Sequence, residues 1–252
     1  MTAQEKQAVF APLLRNFETD YIRDYCNDMI AEIPDYIFTM PSSTSGKYHN
    51  QTQCQTYGQI YHIYMFASIM EHLLRLEHKQ EVFDSPTVRD ALRCVPIFHD
   101  AIKCGWNGST YTVQNHPVLA RDWVLNTKVE HDIADKAKKY IAKCCEAHSG
   151  QWNTNRSGEE IMKKPTTVAE KFVHECDILA SRADLDWIIS DELKEILTGV
   201  KAELPDPETY VLTFGKHKGE TLKEIAEEDS QYIDWMKENI DREPLKTLLK
   251  EI

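Results

Sequence analysis

The stretch IFHDAIKCG (97–105) sets His99 directly beside Asp100. Neighbouring side chains in a regular helix point roughly 100° apart, so an adjacent pair reaches one target only near a helix end or with help from elsewhere in the chain. Help is on offer. In chain order the sequence supplies His62, His99–Asp100, His116, His148 and Asp177, each on or at the end of a segment with helical periodicity. Imidazole and carboxylate donors gathered from several helices are what a divalent ion needs. His62, His99, Asp100 and Asp177 make one set. Asp100 can also lean toward a second ion, with His116 and His148 completing it. Mixed nitrogen and oxygen donors point to one or two ions of manganese, iron, cobalt, nickel or magnesium rather than to tetrahedral structural zinc.

Other residues suit phosphate. Lys103 lies one turn past Asp100, where its charge can steady a phosphoryl group. The loop PSSTSGKYHN (41–50) combines hydroxyls, a glycine and a lysine, the makings of an anion cradle, with Ser43, Lys47 and His49 as its contacts. A second His–Asp pair, His131–Asp132, reads as a solvated helix start. His72, His78 and His174 read as solvated or structurally satisfied.

The elements that must position these residues are helical. Phe10, Leu13, Leu14, Phe17, Tyr21, Tyr25 and Met29 recur at three- and four-residue steps. Residues 56–76 read as a long buried helix. A further helix runs from a cap at Ser85 into the His–Asp pair, with a kink or division expected at Pro96 and a stop at Gly105. Segments 115–125, 129–148 and 166–188 complete a domain of five to eight helices over residues 1–202, with a polar loop at 149–158. ELPDPETY (203–210) has the composition of a linker. The remaining segment, within 203–252, changes character: YVLTF alternates like a short strand, FGKHKG is a turn, and Thr221 caps a following helix. The expected fold is therefore mainly α, an all-helical domain with a small α+β module.

Composition narrows the function. The chain has 252 residues and a formal net charge of −12, which disfavours broad binding to duplex nucleic acid but permits a small positive pocket. No apolar run approaches the length of a membrane span, and no secretory signal is evident at the start. Seven scattered cysteines without a CxxC pair fit a reducing, cytoplasmic setting.

The ordered series also resembles a known family. SSTSGKYHN followed by YGQIYHIY, then FHDAIKCG, NHPVLARDWV, EAHSGQW and EKFVHECDILASR are together similar to the HD-domain superfamily of metal-dependent phosphohydrolases, over residues 35–190. The resemblance implies His62 as first ligand, His99 and Asp100 as the central pair, Asp177 as final ligand, and His116 and His148 as additional ligands of two-metal members. It implies hydrolysis of phosphate esters by a metal-activated water, with Asp100 and Lys103 in the catalytic machinery. The substrate would be a nucleoside monophosphate or a deoxynucleoside triphosphate. The alternatives are a phosphodiesterase or 3′–5′ exonuclease acting on short single strands or cyclic nucleotides, and a non-catalytic binding protein that keeps the fold. Residues 209–245, LTFGKHKGETLKEIAEEDSQYIDWM with its flanks, resemble the small module at the C-terminus of some bacterial DNA exonucleases. That implies a contact with protein or nucleic acid. Seven Lys/Arg stand there against thirteen Asp/Glu over 203–252, a net of −6, which argues against general nucleic-acid affinity and leaves packing or homo-oligomerisation open.

Overall fold

In the computed structural model the described residues are 1–43, 49–155, 157–182, 191–199, 206–212, 215–240, 245–250 and 252. The chain divides into two compact units, Met1–Thr198 and Gly199–Ile252. Among the described residues the structure is helical, and pairing of extended chain is limited to isolated bridges. No helix among them is long and apolar enough to cross a membrane.

The first unit contains α1 (Ala3–Leu14), α2 (Asp20–Ala31), α3 (Gly58–Leu74), α4 (Glu77–Val82), α5 (Pro86–Phe98), α6 (His116–Asn126), α7 (Asp135–Ala147), α8 (Val168–Ser181) and α9 (Asp191–Thr198). α3 packs against α5 and α8, and α7 packs against α5, α6 and α8. Tyr25, Phe10, Phe38, Phe66, Phe98 and Phe172 are the largest side chains fully removed from water. Burying each phenylalanine contributes roughly 1.5–3 kcal/mol, so this apolar centre is what holds the helix ends in place.

Local chemistry sets the helix boundaries. Thr2 and Thr167 open α1 and α8 with capping boxes, in which Glu5 and Glu170 return a hydrogen bond to the cap residue. The start of α2 is capped from a distance instead. Asp90 of α5, fully buried, accepts hydrogen bonds from the Glu18 and Thr19 main-chain N–H groups and from the Thr19 hydroxyl at 2.7–3.0 Å. Arg93 then ties Asp90, Glu18 and Glu71 together at 2.7–2.9 Å. This network locks α5 to the entry of α2 and to α3. At the other end of α2, the Lys6 ammonium donates to the Ile33 carbonyl at 2.7 Å and to that of Ala31 at 3.3 Å, charge complementing a helix C-terminus.

Two expectations for α5 need correction. The helix runs through Pro96 and ends at Phe98, two residues later, so the proline divides nothing. Its missing N–H withholds one hydrogen bond, to the Leu92 carbonyl one turn earlier, and the helix nevertheless continues past it to Phe98. Gly105, with φ +74°, lies beyond the end, in a series of turns that starts at His99. The periodic stretch from Phe10 to Met29 forms two helices, separated at residues 15–19.

A close approach fixes the start of α3. A side chain at Gly58 would place its Cβ 2.1 Å from the Gln53 carbonyl oxygen, so only glycine lets the turn at Gln51–Cys54 lie against the helix. That carbonyl also accepts the Ser42 N–H at 2.8 Å. Ser42 and Gln59 are thereby held beside the residues that follow α5.

The second unit packs Leu212, Leu222, Ile225, Ile233, Met236, Leu245, Leu248 and Leu249 between α10 (Leu222–Glu228), α11 (Ser230–Asn239) and α12 (Leu245–Leu248). Thr221 caps α10 with a capping box to Glu224. The strand expected over YVLTF is reduced, in its described part, to one antiparallel bridge between Val211 and Thr221. Residues 216–219 form a turn, and beside it Leu212 N–H donates to the Glu220 carbonyl and Gly219 N–H to the Leu212 carbonyl, at 2.8 and 2.7 Å. Within that turn the His217 ring contacts Glu220 at 2.7 Å and Asp229 at 3.1 Å.

Candidate metal centre

Five helices deliver the donors. His62 lies in the second turn of α3 and Asp177 in α8. His99 and His148 are the C-terminal cap residues of α5 and α7, and His116 is the first residue of α6. His62, His99, Asp100 and His148 are buried; His116 and Asp177 are partly buried. The adjacent pair works because His99 caps a helix and Asp100 falls in the turn after it, outside the regular spacing.

Asp100 stands between two histidine groups. Its Oδ2 is 3.2 Å from His99 Nε2, and its Oδ1 is 3.0 Å from His116 Nε2 and 3.6 Å from His148 Nε2. On the first side, His62 Nε2 is 3.3 Å from His99 Nε2 and 2.9 Å from Asp177 Oδ1. On the second, His116 and His148 bring their Nε2 atoms to 3.2 Å. Donor atoms of His62, His99 and Asp100 lie close enough together to share an ion, and so do those of Asp100, His116 and His148.

The rings are held in one tautomer. The Nδ1 atoms of His99, His116 and His148 meet the main-chain carbonyls of Pro96, Val113 and Cys145 at 2.9, 2.8 and 2.7 Å. A carbonyl only accepts, so each Nδ1 carries the proton and each Nε2 of a neutral ring turns a lone pair inward. Carbonyl partners of this kind are what orient histidine ligands of metals. The same convergence leaves Asp100 Oδ1 and His62 Nδ1 buried without a hydrogen bond. Lone pairs and carboxylate oxygens facing one another need positive charge among them, and a divalent cation fits this donor set.

The electrostatics agree. Burial, and then the neighbouring His99, pull His148 down to about 3. Burial likewise holds His62 below its ordinary value despite Asp177. For His99 burial is outweighed by the carboxylates of Asp100 and Asp177, which raise it. Burial opposes ionisation of Asp100, yet Lys103 and the surrounding histidines keep its pKa well below the usual range. Asp177 is lowered in the same way by His62.

Around the donors lies a second layer. The Lys103 ammonium is buried and donates to Asp100 Oδ2 at 2.6 Å, Gln59 Oε1 at 2.9 Å and Ser42 Oγ at 3.5 Å. The Gln59 amide donates to the same Asp100 oxygen at 3.0 Å. His49 Nδ1 meets Gln53 Oε1 at 2.5 Å, while the Gln53 amide donates to the Ala180 carbonyl at 2.7 Å. That fixes the His49 proton on Nδ1, and burial lowers its pKa to about 4. His174 Nδ1–H donates to the His148 carbonyl at 2.7 Å and so braces the turn that carries a donor.

A cleft of 340 Å³ opens onto this cluster, lined among others by Ser42, His49, Lys103, Trp152 and Arg182. The structure thus brings His62, His99, Asp100, Lys103, His116, His148 and Asp177 together, with His49 at the rim. Ser43 is described, half-buried next to Ser42; Lys47 lies outside the described residues. His131 is exposed and bound to Asp28, and Asp132 pairs with Lys138 at 2.5 Å, so the second His–Asp pair is engaged elsewhere. Gln59 and Gln53 carry no signal in their spacing, and His174, expected to be solvated or structurally satisfied, holds the His148 carbonyl.

Comparison with known proteins reaches the second unit. The family described as Exodeoxyribonuclease X-like C-terminal matches residues 212–241. No curated protein and no solved structure matches the chain. The buried His/Asp cluster is compatible with a metal-dependent hydrolase, and the match over 212–241 is to an exonuclease-associated module.

Proposed function

We propose that the first unit is a metal-dependent phosphohydrolase of the HD-domain type that opens phosphate esters of nucleotides, either a nucleoside monophosphate or a deoxynucleoside triphosphate. The observation that carries this reading is Asp100, whose two carboxylate oxygens face two separate histidine groups. His62, His99, Asp100 and Asp177 would hold one divalent ion, and Asp100, His116 and His148 a second. Manganese, iron, cobalt, nickel or magnesium suits such donors. When bound, the ions supply Lewis acidity toward the phosphoryl group and lower the pKa of water.

The chain's own residues do the rest. Gln59 and Lys103 fix the Asp100 carboxylate in the orientation that serves both histidine groups. Lys103 also lines the cleft, where its charge offsets the negative charge that grows on phosphoryl oxygens in the transition state. Ser43, Lys47 and His49 are the proposed substrate contacts. His49 is neutral near pH 7 with Nε2 unprotonated, so its part is to accept a hydrogen bond from water or substrate. The small cleft and the net charge of −12 favour a small nucleotide over a long polymer.

A second reading, a phosphodiesterase or 3′–5′ exonuclease on short single-stranded nucleic acid or cyclic nucleotides, draws on the match over residues 212–241. One experiment separates the two. The manganese-loaded chain is assayed against nucleotides, cyclic nucleotides and short oligonucleotides, beside His99→Ala. Phosphate release from mononucleotides, lost in the variant, supports the first reading. Shortening of oligonucleotides with salt-sensitive affinity supports the second. Full activity of His99→Ala contradicts both.

A further inference from the structure

Three tryptophans among the described residues, Trp106, Trp152 and Trp235, are exposed, and of these only Trp152 is among the residues that line the cleft. Trp152 is 57% exposed and lines the same cleft as Asp100, Lys103 and His148. It is nonetheless held firmly. Its main-chain N–H donates to the Ser149 carbonyl at 3.1 Å, and its ring meets the His174 ring edge-on at 5.8 Å. His174 in turn grips the His148 carbonyl. Gly150 makes this possible: its φ is +58°, and a Cβ there would come within 1.9 Å of the His174 ring. One turn of five residues therefore carries a donor of the metal cluster at one end and an exposed, braced aromatic ring at the other.

We propose that Trp152 is the stacking platform for the aromatic base of the substrate, so that the site selects nucleoside phosphates over phosphate esters that lack a base. This rests on the phosphohydrolase reading and names its specificity. The cleft volume of 340 Å³ lies in the range of pockets that enclose a single small ligand. Within it, cationic Lys103 and the His/Asp donors suit the phosphate, and the one exposed indole lining it suits a flat aromatic group. Every nucleobase offers a π face, so this platform would select for a base without selecting which one.

The test uses the full manganese-loaded chain, Trp152→Ala and Trp152→Phe, with adenosine 5′-monophosphate and ribose 5-phosphate as probes. Calorimetry measures binding, and phosphate release measures turnover. The wild type is expected to bind the nucleotide about 5- to 150-fold more tightly than the sugar phosphate, the range for one base–aromatic stack. Trp152→Ala should lose that margin with unchanged ribose 5-phosphate binding, and Trp152→Phe should keep most of it. Equal affinity of the wild type for both probes, or an unchanged margin in Trp152→Ala, overturns the proposal. If the margin depends on Trp152 but no ester is hydrolysed, the platform stands and the hydrolase reading falls. If nucleotide is hydrolysed but the affinity margin is unchanged in Trp152→Ala, the platform falls and the hydrolase reading stands.

Discussion

The Nε2 atoms of His116 and His148 stand 3.2 Å apart, and each ring has its Nδ1–H engaged with a main-chain carbonyl. In neutral rings this directs two lone pairs at one another, beside an Asp100 oxygen that has no hydrogen bond. Such a group is costly in a folded interior unless a cation neutralises it. The backbone is thus arranged to present donors, and the features that look unfavourable in the bare protein are the ones a metal would use.

Gln59 gives the mildest probe of that arrangement, since it touches Asp100 without being a donor to the cluster itself. Gln59→Leu keeps the side-chain volume but removes the hydrogen bonds to Asp100 and Lys103. Loss of such an outer partner typically weakens metal binding or activity about 10- to 100-fold. Metal titration followed by calorimetry should read a shift of that size with the circular dichroism of the helices unchanged.

Gly150→Ala should damage the site through its brace. The left-handed backbone alone costs about 1–3 kcal/mol in a residue with a side chain, and the new Cβ would press on His174. We expect a lowered urea midpoint and a weakened metal affinity, because the His148 carbonyl depends on His174. Wild-type values for both would show that His174 does not position the turn.

Asp90 lies outside the cleft lining and tests the scaffold. Removing it leaves the Thr19 and Glu18 N–H groups uncapped and breaks a buried pair with Arg93. Breaking such a pair costs about 3–5 kcal/mol. Asp90→Ala should lose that much stability in urea unfolding, and Asp90→Asn, which keeps an acceptor oxygen, should lose less.

His217 makes the second unit pH-sensitive. Hydrogen bonds to Glu220 and then Asp229 raise its pKa in the folded state, with Lys216 opposing. A raised folded value means the contribution is fully present below the unfolded value of about 6.5 and is lost as pH climbs through the folded one. Urea unfolding of this unit, read from the methyl signals of Leu222, Ile225 and Ile233, should therefore show higher stability at pH 6 than at pH 9. His217→Gln should flatten the difference.

The donor series could be read from sequence because its chemistry lies in residue types and their order, which survive any detail of packing. What lay around it could not. Asp90 caps a helix 71 residues away, at Thr19, and no local pattern announces that. Pro96 suggested a kink or a division, yet the helix continues through it to Phe98. His174 gains its role only because Gly150 comes within touching distance in three dimensions. The alternation in YVLTF suggested a strand, yet its described part is a single bridge, with Leu212 hydrogen-bonded to Gly219 and Glu220 beside it.

The central claim is that Asp100 serves two metal sites at once, and bound metal measured by elemental analysis tests it directly. After manganese loading and desalting, the wild type should retain about two ions per chain, the capacity of a shared-carboxylate pair of sites. Asp100→Asn should retain almost none, while His62→Ala and His148→Ala each keep about one. A wild type that holds no metal, or an Asp100→Asn variant that holds as much as the wild type, would contradict the account.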